Sequence, residues 1–364
     1  MAVQTIAAST VVTPVGVLAP GQVSVDDGLI VDVRASRGVA PDRVLCPGFI
    51  DLQVNGHDAV HVANAEGADW ERLDALLLAQ GVTAWCPTLT TSPLDAYAAP
   101  LARIAAAAAR QDPRRPSILG AHLEGPFLGA ATGAHSAAHV RALDRDWLRG
   151  LPEIVRLMTL APELEGVGAA ITELAAHGVV VSLGHSHASF DESIAAADAG
   201  ARLVTHVFNA MSPLHHRAPG LAGAALSDPR LVPSVIADGV HIHPAVIRLV
   251  ARAKGRGGWA LVTDAVGWRD ERTGGRVSMV DGAPQLADGT IAGSATTMDA
   301  AVGYVVRAGV GITDAVCAAS ETPARVLGVE TERGSLVPGL RADLVALDPD
   351  TLAARTTWVA GERV

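Results

Sequence analysis

Lysine is almost missing from this 364-residue chain: Lys254, in the polar helix-end segment "ARAKGRGG", is the only one. A bridging modified lysine, used by many two-metal barrels, is thereby improbable. Cysteine is scarce too. Cys46, Cys86 and Cys317 are odd in number, widely spaced and form no CxxC pair, which argues against a disulfide framework or a cysteine zinc site. Positive charge is outnumbered, with 28 Lys and Arg against 38 Asp and Glu and a net charge of −10, so nothing suggests a nucleic-acid surface. Long apolar runs are absent. "RIAAAAAR" is too short to span a bilayer, and the N-terminus lacks the basic and apolar regions of a signal peptide. A reducing cytoplasm is the expected location, with no membrane or nucleic-acid partner. Aromatics are only 3% of residues while 49% are hydrophobic, which predicts a large aliphatic core.

The ends of the chain share one texture. Residues 1–48, with "TVVTP", "GQVSVDDGLIVDVRA" and "RVLCPG", and residues 335–364 are short β-type runs punctuated by Gly, Pro and Asp. We expect one small β domain assembled from both termini. Between them, strand candidates at 49–55, 82–90, 118–124, 154–161, 179–185, 202–208, 233–238 and 259–264 alternate with helical stretches, including 69–80, 94–110, 164–177, 189–199 and 244–254. Such alternation predicts parallel βαβ units, and eight strands predict an α/β fold with a (β/α)₈ barrel over 49–334.

Barrel active sites form at the C-terminal ends of strands, and polar residues collect there. Glu124 in "GAHLEGPF", His185 in "VVVSLGHSHAS" and His206 in "RLVTHVFNAM" each follow an apolar strand. Alone, Glu124 could close the barrel mouth in an ion pair and each histidine could be structural. Together, one carboxylate and two imidazoles from three strand ends make a divalent-metal ligand set with an open position for water. Asp264 in "WALVTDAVG" faces the same mouth and suits the base that takes a water proton and returns it to a leaving nitrogen. His135, in the loop "ATGAHSAAH", could polarise a substrate carbonyl or simply stand in solvent. The histidines at 57, 61, 139, 215, 216 and 243 read as solvated or structural. For an anion, "NAMSPLHHRAPGLAG" offers Asn209, amides near Ala210, and Arg217, and "ADGVHIH" offers His241.

One stretch stands apart. In "FIDLQVNGH", Asp51, Gln53 and Asn55 alternate along a strand and so share one side. Neutral amides at 53 and 55 bind transition metals weakly, which predicts a one-metal site.

The motifs "PGFIDLQVNG", "HLEGPF", "SLGHSHAS", "THVFNAMSPLHHRAPGLAG", "IADGVHIH", "LVTDA", "GTIAGSATTM" and "GLRADLVALD" occur in order over nearly the whole chain. Through them the sequence resembles the N-acetylglucosamine-6-phosphate deacetylases of the amidohydrolase superfamily. The resemblance implies a barrel with a small β-sandwich from both termini, a divalent metal and usually a dimer, here a homodimer. With amides at 53 and 55 we expect one ion per subunit, and the donor set accepts Zn²⁺ foremost, with Fe²⁺, Co²⁺ or Mn²⁺ as options. It implies Glu124, His185 and His206 as metal ligands and Asp264 as catalytic acid/base. It further implies His135 with Ala134, Asn209, Ala210, Arg217 and His241 as substrate contacts, and a turn at Ile291, Ala292 and Gly293 closing over the sugar. In relatives the arginine can come from the neighbouring subunit. Two departures from the family pattern are "GHDAVHV", without the usual glycine pair, and "AHSAAH" after the loop histidine. The competing expectations are a deacetylase of another N-acyl substrate, such as N-acetylgalactosamine 6-phosphate, and a catalytically silent sugar-phosphate binding protein.

Overall fold

The structure is a computed structural model that describes residues 3–110, 112–273, 275 and 277–364. Eight parallel strands form the barrel: β1 Phe49–Val54, β2 Val82–Thr90, β3 Ala121–Glu124, β4 Val155–Leu160, β5 Val180–Leu183, β6 Leu203–Val204, β7 Val232–Ile236 and β8 Ala260–Val262. Each pairs with its sequence neighbour, β1 with β2 through to β7 with β8. The ring closes just beyond the end of β8: the Asp264 N–H donates to the Gln53 carbonyl at 3.0 Å, and the Asn55 N–H to the Ala265 carbonyl at 2.8 Å. Asp51 reinforces the seam, because its carboxylate accepts Thr263 Oγ1–H at 2.5 Å and the Thr263 N–H at 3.2 Å.

The observed strands are shorter than the sequence pattern predicts, chiefly at their C-terminal ends. The stretch 202–208 is extended only at Leu203–Val204, since His206, Phe208 and Ala210 turn into the left-handed region at φ 29°, 77° and 48°. The 118–124 run breaks into Ser117–Ile118 and Ala121–Glu124 around Gly120 (φ 143°). The five expected helices are present, ending within a few residues of their predicted limits. Further helices lie at Arg145–Arg149, Gly220–Ser227, Met298–Arg307, Ile312–Ala319 and Glu321–Leu327.

Apolar residues of most barrel strands, among them Ile50, Leu52, Leu157, Leu203 and Val262, pack with Ala324 and Leu327 of the last helix, so the barrel interior is filled. A buried polar chain crosses the strands nearby. His122 Nε2 meets Thr159 Oγ1 at 2.8 Å, which meets Thr205 Oγ1 at 2.7 Å, which meets Ser182 Oγ at 2.5 Å. Burial pushes His122 down to about 4, so it is a neutral hydrogen-bonding group near neutral pH. Three members of the chain, His122, Ser182 and Thr205, sit two, three and one residues ahead of Glu124, His185 and His206, and tie down the strands from which those side chains emerge.

The termini build two sheets. One has three strands, Gln4–Ala8, Gly21–Asp26 and Leu29–Ala35; the other has six, with Leu344–Leu347 from the C-terminal end paired to Val44–Pro47 from the N-terminal end. Ile6, Val23 and Ile30 of the first sheet share a core with Leu45, Leu344 and Trp358 of the second. This is a sandwich. Cys46, Cys86 and Cys317 are free and buried.

Burial raises Asp51 to about 7, against weaker lowering by its hydrogen bonds to Thr263 and Gln53. A folded-state value above the unfolded one means that this group's contribution to stability is full below about pH 4 and is lost as pH rises through about 7. The unfolding free energy of wild type relative to Asp51→Asn is therefore expected to fall across that window, by at most about 1.4 kcal/mol per pH unit. Denaturant unfolding of both proteins at several pH values measures it; a constant difference would contradict it.

Candidate active site

Four strand ends converge. Glu124 is the last residue of β3, while His185, His206 and Asp264 each lie two residues beyond β5, β6 and β8. All are buried, Glu124 to 2% and Asp264 to 8% exposure. His185, His206 and Asp264 also have positive φ, at 50°, 29° and 48°. A side chain in that region costs on the order of 1–3 kcal/mol, and such strain clusters where side chains must be aimed for function.

Glu124 is the hub. Its Oε1 accepts from Gln53 Nε2 at 2.8 Å and lies 3.0 Å from His206 Nε2 and 3.2 Å from His185 Nε2; its Oε2 lies 3.6 Å from His135 Nε2. Glu124, His135 and His185 can each present a ligand atom within 4.8 Å of the others. The other ring nitrogens distinguish the histidines. His185 donates Nδ1–H to the Ala131 carbonyl at 3.1 Å, which leaves Nε2 as a bare lone pair when the ring is neutral. His135 does the reverse, because its Nδ1 accepts the Thr91 N–H at 3.3 Å and Nε2 keeps its proton. His185 thus suits a ligand, and His135 suits a donor aimed at the site.

A neutral imidazole lone pair facing a carboxylate lone pair needs a positive charge between them. Protons on the rings are one solution and a divalent cation is the other. His206 Nδ1 and Asn55 Oδ1 are among several buried polar atoms of the described residues that have no partner. One carboxylate and two imidazoles match zinc and its neighbours. The residues fit a metal.

Asp264 stands beside this cluster. Asn55 Nδ2 donates to its Oδ1 at 2.7 Å, and Gln53 Nε2, which also serves Glu124, donates to the same oxygen at 3.1 Å. Gln53 and Asn55 therefore tie carboxylates together, while Asp51 is turned to the β1–β8 seam. Burial first, then the Glu124 charge, pushes Asp264 up to about 8. Burial would raise Glu124 as well, but the imidazoles of His135, His185 and His206, where they carry a proton toward it, hold it well below the usual carboxylate range. Two close carboxylates ionise in sequence, Glu124 first. A cation bound at Glu124 would draw Asp264 back down.

The turn at 291–293 packs against Asp264. Ser294 N–H donates to the Asp264 carbonyl at 2.9 Å, and Val266 N–H to the Ser294 carbonyl at 3.0 Å. Gly293 (φ 88°) is required there, since a Cβ would stand 2.6 Å from Val266 Cγ1 and 2.7 Å from the Asp264 carbonyl. Ala292 N–H is held by the Pro284 carbonyl, and Ile291 bridges Gln285 of a hairpin, Ser278–Val280 with Ala283–Gln285, that sequence reasoning missed.

His241 is fixed by Asp238, which accepts its Nδ1–H at 2.6 Å and its N–H at 2.9 Å. Asn209 turns its amide back onto the His206 carbonyl, and the Ala210 carbonyl accepts Ser186 N–H. Ala134 lies beside His135 in the loop after β3, half-buried. Arg217 is different: it lies on an exposed loop with Leu214, His215 and His216, and its one side-chain partner among the described residues is His216. Sequence reasoning missed Asp238 and Thr91, although Asp238 was visible within "ADGVH". His61 and His243 prove structural, each accepting a backbone N–H at a helix start.

The family model described as "Amidohydrolase family" matches residues 44–364. The chain belongs to the amidohydrolase family. It is similar to the N-acetylglucosamine-6-phosphate deacetylase of Bos taurus, 40% identical over 88% of this chain and 83% of that protein. It is also similar to the N-acetylgalactosamine-6-phosphate deacetylase of Escherichia coli O157:H7, 38% identical over 98% and 97%. Among solved structures, it matches an aspartate-to-alanine mutant of the Mycobacterium smegmatis N-acetyl-D-glucosamine-6-phosphate deacetylase in complex with N-acetyl-D-glucosamine-6-phosphate. The TM-score is 0.91 at 32% identity, covering 100% of this chain and 99% of that one. As an amidohydrolase, the chain brings its ionisable groups to the rim where barrel enzymes carry out their chemistry.

Removing the hub charge should empty the amidohydrolase site. Glu124→Gln is expected to retain the fold but lose stoichiometric divalent metal, read by elemental analysis after equilibration with Zn²⁺. A variant with full metal content would refute the assignment.

Proposed function

We propose that this enzyme hydrolyses the acetamide of N-acetyl-D-glucosamine 6-phosphate, giving D-glucosamine 6-phosphate and acetate. The observation that carries the reading is the convergence of Gln53, His185 and His206 on one oxygen of Glu124 beside the buried Asp264. Glu124, His185 and His206 would hold one divalent ion, Zn²⁺ or one of Fe²⁺, Co²⁺ and Mn²⁺. When bound, it supplies Lewis acidity and lowers the pKa of water.

The protein's own groups do the rest. Asp264 has Oδ1 saturated by Asn55 and Gln53, so Oδ2 is left to take the proton of the attacking water and deliver it to the departing nitrogen. His135 points Nε2–H into the site, where it can donate to the acetamide oxygen as negative charge develops. His241, oriented by Asp238, together with Asn209, Ala210 and Arg217, would receive the phosphate, and Ile291–Gly293 with Ala134 would line the sugar. Exposure of the 213–218 loop supports a homodimer in which Arg217 serves a neighbouring site. The same reading takes residues 1–48 with 335–364 as one domain, 49–334 as the other, and the cytoplasm as the location. Among the described residues no helix is long and apolar enough to cross a membrane.

A second reading has a specific support: the E. coli relative at 38% identity is named for the galactosamine epimer. Acetate release from both N-acetylhexosamine 6-phosphates and their unphosphorylated forms, by metal-stripped protein with single ions restored, ranks them. Activity should vanish on stripping and return with Zn²⁺, and the glucosamine ester should be the preferred substrate. Faster turnover of the galactosamine ester would shift the assignment to the epimer. Binding without acetate release would leave a sugar-phosphate binding protein.

Asp264→Asn keeps shape and burial while removing the proton carrier. Its kcat is expected to fall by roughly 10²–10⁴-fold with metal content and substrate affinity close to wild type. Substantial remaining turnover would exclude Asp264 as the base.

A further inference from the structure

His185 carries its imidazole into the site from a left-handed backbone (φ 50°), so surrounding groups must hold that turn. Its carbonyl accepts the Gly129 N–H at 2.9 Å and its Nδ1–H goes to the Ala131 carbonyl at 3.1 Å. The next two residues are held by one carboxylate from the loop after β4. Ser186 Oγ donates to Glu163 Oε2 at 2.6 Å, and His187 N–H donates to Glu163 Oε1 at 2.9 Å. Ser186 is fully buried; its Oγ also accepts Ala188 N–H at 2.9 Å, and its N–H donates to the Ala210 carbonyl at 3.1 Å. The His185 turn is thereby joined to the turn that follows His206. Gly129 keeps space for this arrangement, because a Cβ there would collide with Glu163 Oε1 and stand 3.0 Å from the His185 carbonyl.

We propose that Glu163 is a positioning residue for His185: it locks the 185–187 turn with Nε2 aimed at Glu124 and so raises the site's affinity for a divalent cation, touching neither cation nor substrate. The inference rests on the metal reading above. Its two oxygens take two donors from consecutive residues, so the turn is constrained at two points. One anchor would leave it free to rotate about the other. A merely structural role predicts a different outcome, namely lost thermal stability with unchanged metal affinity.

The test is a chelator-buffered Zn²⁺ titration of metal-stripped wild type, Glu163→Ala, Glu163→Gln and Ser186→Ala, with thermal unfolding of each stripped protein and kcat and KM at saturating Zn²⁺. Wild type should bind one ion per chain and Glu163→Ala should bind it on the order of 10–100-fold more weakly. Ser186→Ala should lose less, since the His187 bond remains. Glu163→Gln should recover most of the affinity, because its amide oxygen can accept His187 N–H while its NH₂ donates to Ser186 Oγ. At saturating Zn²⁺, KM should stay at the wild-type value while kcat drops. Equal Zn²⁺ affinity in wild type and Glu163→Ala overturns the proposal. If Glu163→Ala does not fold, Ser186→Ala decides, with weaker binding in support and wild-type binding against. A wild-type protein that binds no divalent ion refutes the metal reading itself, a result distinct from equal binding by wild type and variant.

Discussion

One buried oxygen organises this protein. Glu124 Oε1 has three nitrogens within 3.2 Å, from Gln53, His185 and His206, drawn from β1 and from the segments after β5 and β6. An ionised carboxylate away from water costs several kcal/mol unless its charge is met, and here the meeting is spread over the circumference of the barrel. The polar chain from His122 to Ser182 belongs to the same design, since it fixes strand positions just ahead of the converging side chains. Burial keeps His122 neutral, so it adds no second cation to compete for the carboxylate.

The backbone departs from ideal geometry where that convergence demands it. A continued regular strand would set the side chains of His185, His206 and Asp264 each by the plain alternation of its own strand. Left-handed φ at each redirects them. The cost is met by local hydrogen bonds: Ser234 Oγ takes the His206 N–H at 2.8 Å, the Gln53 carbonyl takes the Asp264 N–H, and Glu163 grips the residues after His185. These anchors sit on neighbouring elements, so the site's precision depends on the closed ring and cannot be a property of any single loop.

Much of this was legible in the residues. Alternation of apolar runs with helical periodicity gave eight strands, and polar residues at their ends marked the rim, because burial of a carboxylate or imidazole there demands a reason. Strand ends were overextended because turning at His206 and Phe208 comes from tertiary hydrogen bonds, and the local pattern continues to look like strand. Gly220–Ser227 escaped notice for another reason: "GLAGAALS" is small and apolar on nearly every side, so it shows little helical contrast. Thr91 and Glu163 were hidden because each meets its partners through contacts between segments distant in sequence. Thr91 and His135 are 44 positions apart, and no spacing rule reaches across such a gap.

The amides at 53 and 55 are the reason to expect a single cation here. Two histidines there would add two more ligands beside Asp264 and invite a second cation. Gln53 and Asn55 instead spend their N–H groups on the carboxylates: Gln53 bridges Glu124 and Asp264, and Asn55 closes on Asp264 Oδ1. Burial and then the charge of Glu124 push Asp264 up to about 8, and the Asn55 hydrogen bond offsets only part of that rise. A single cation held by Glu124, His185 and His206 would supply the missing charge on one side of Asp264. Gln53 and Asn55 both occupy Oδ1 and leave Oδ2 to the proposed proton transfer, so the amide pair and the proposed role of Asp264 are two consequences of one arrangement.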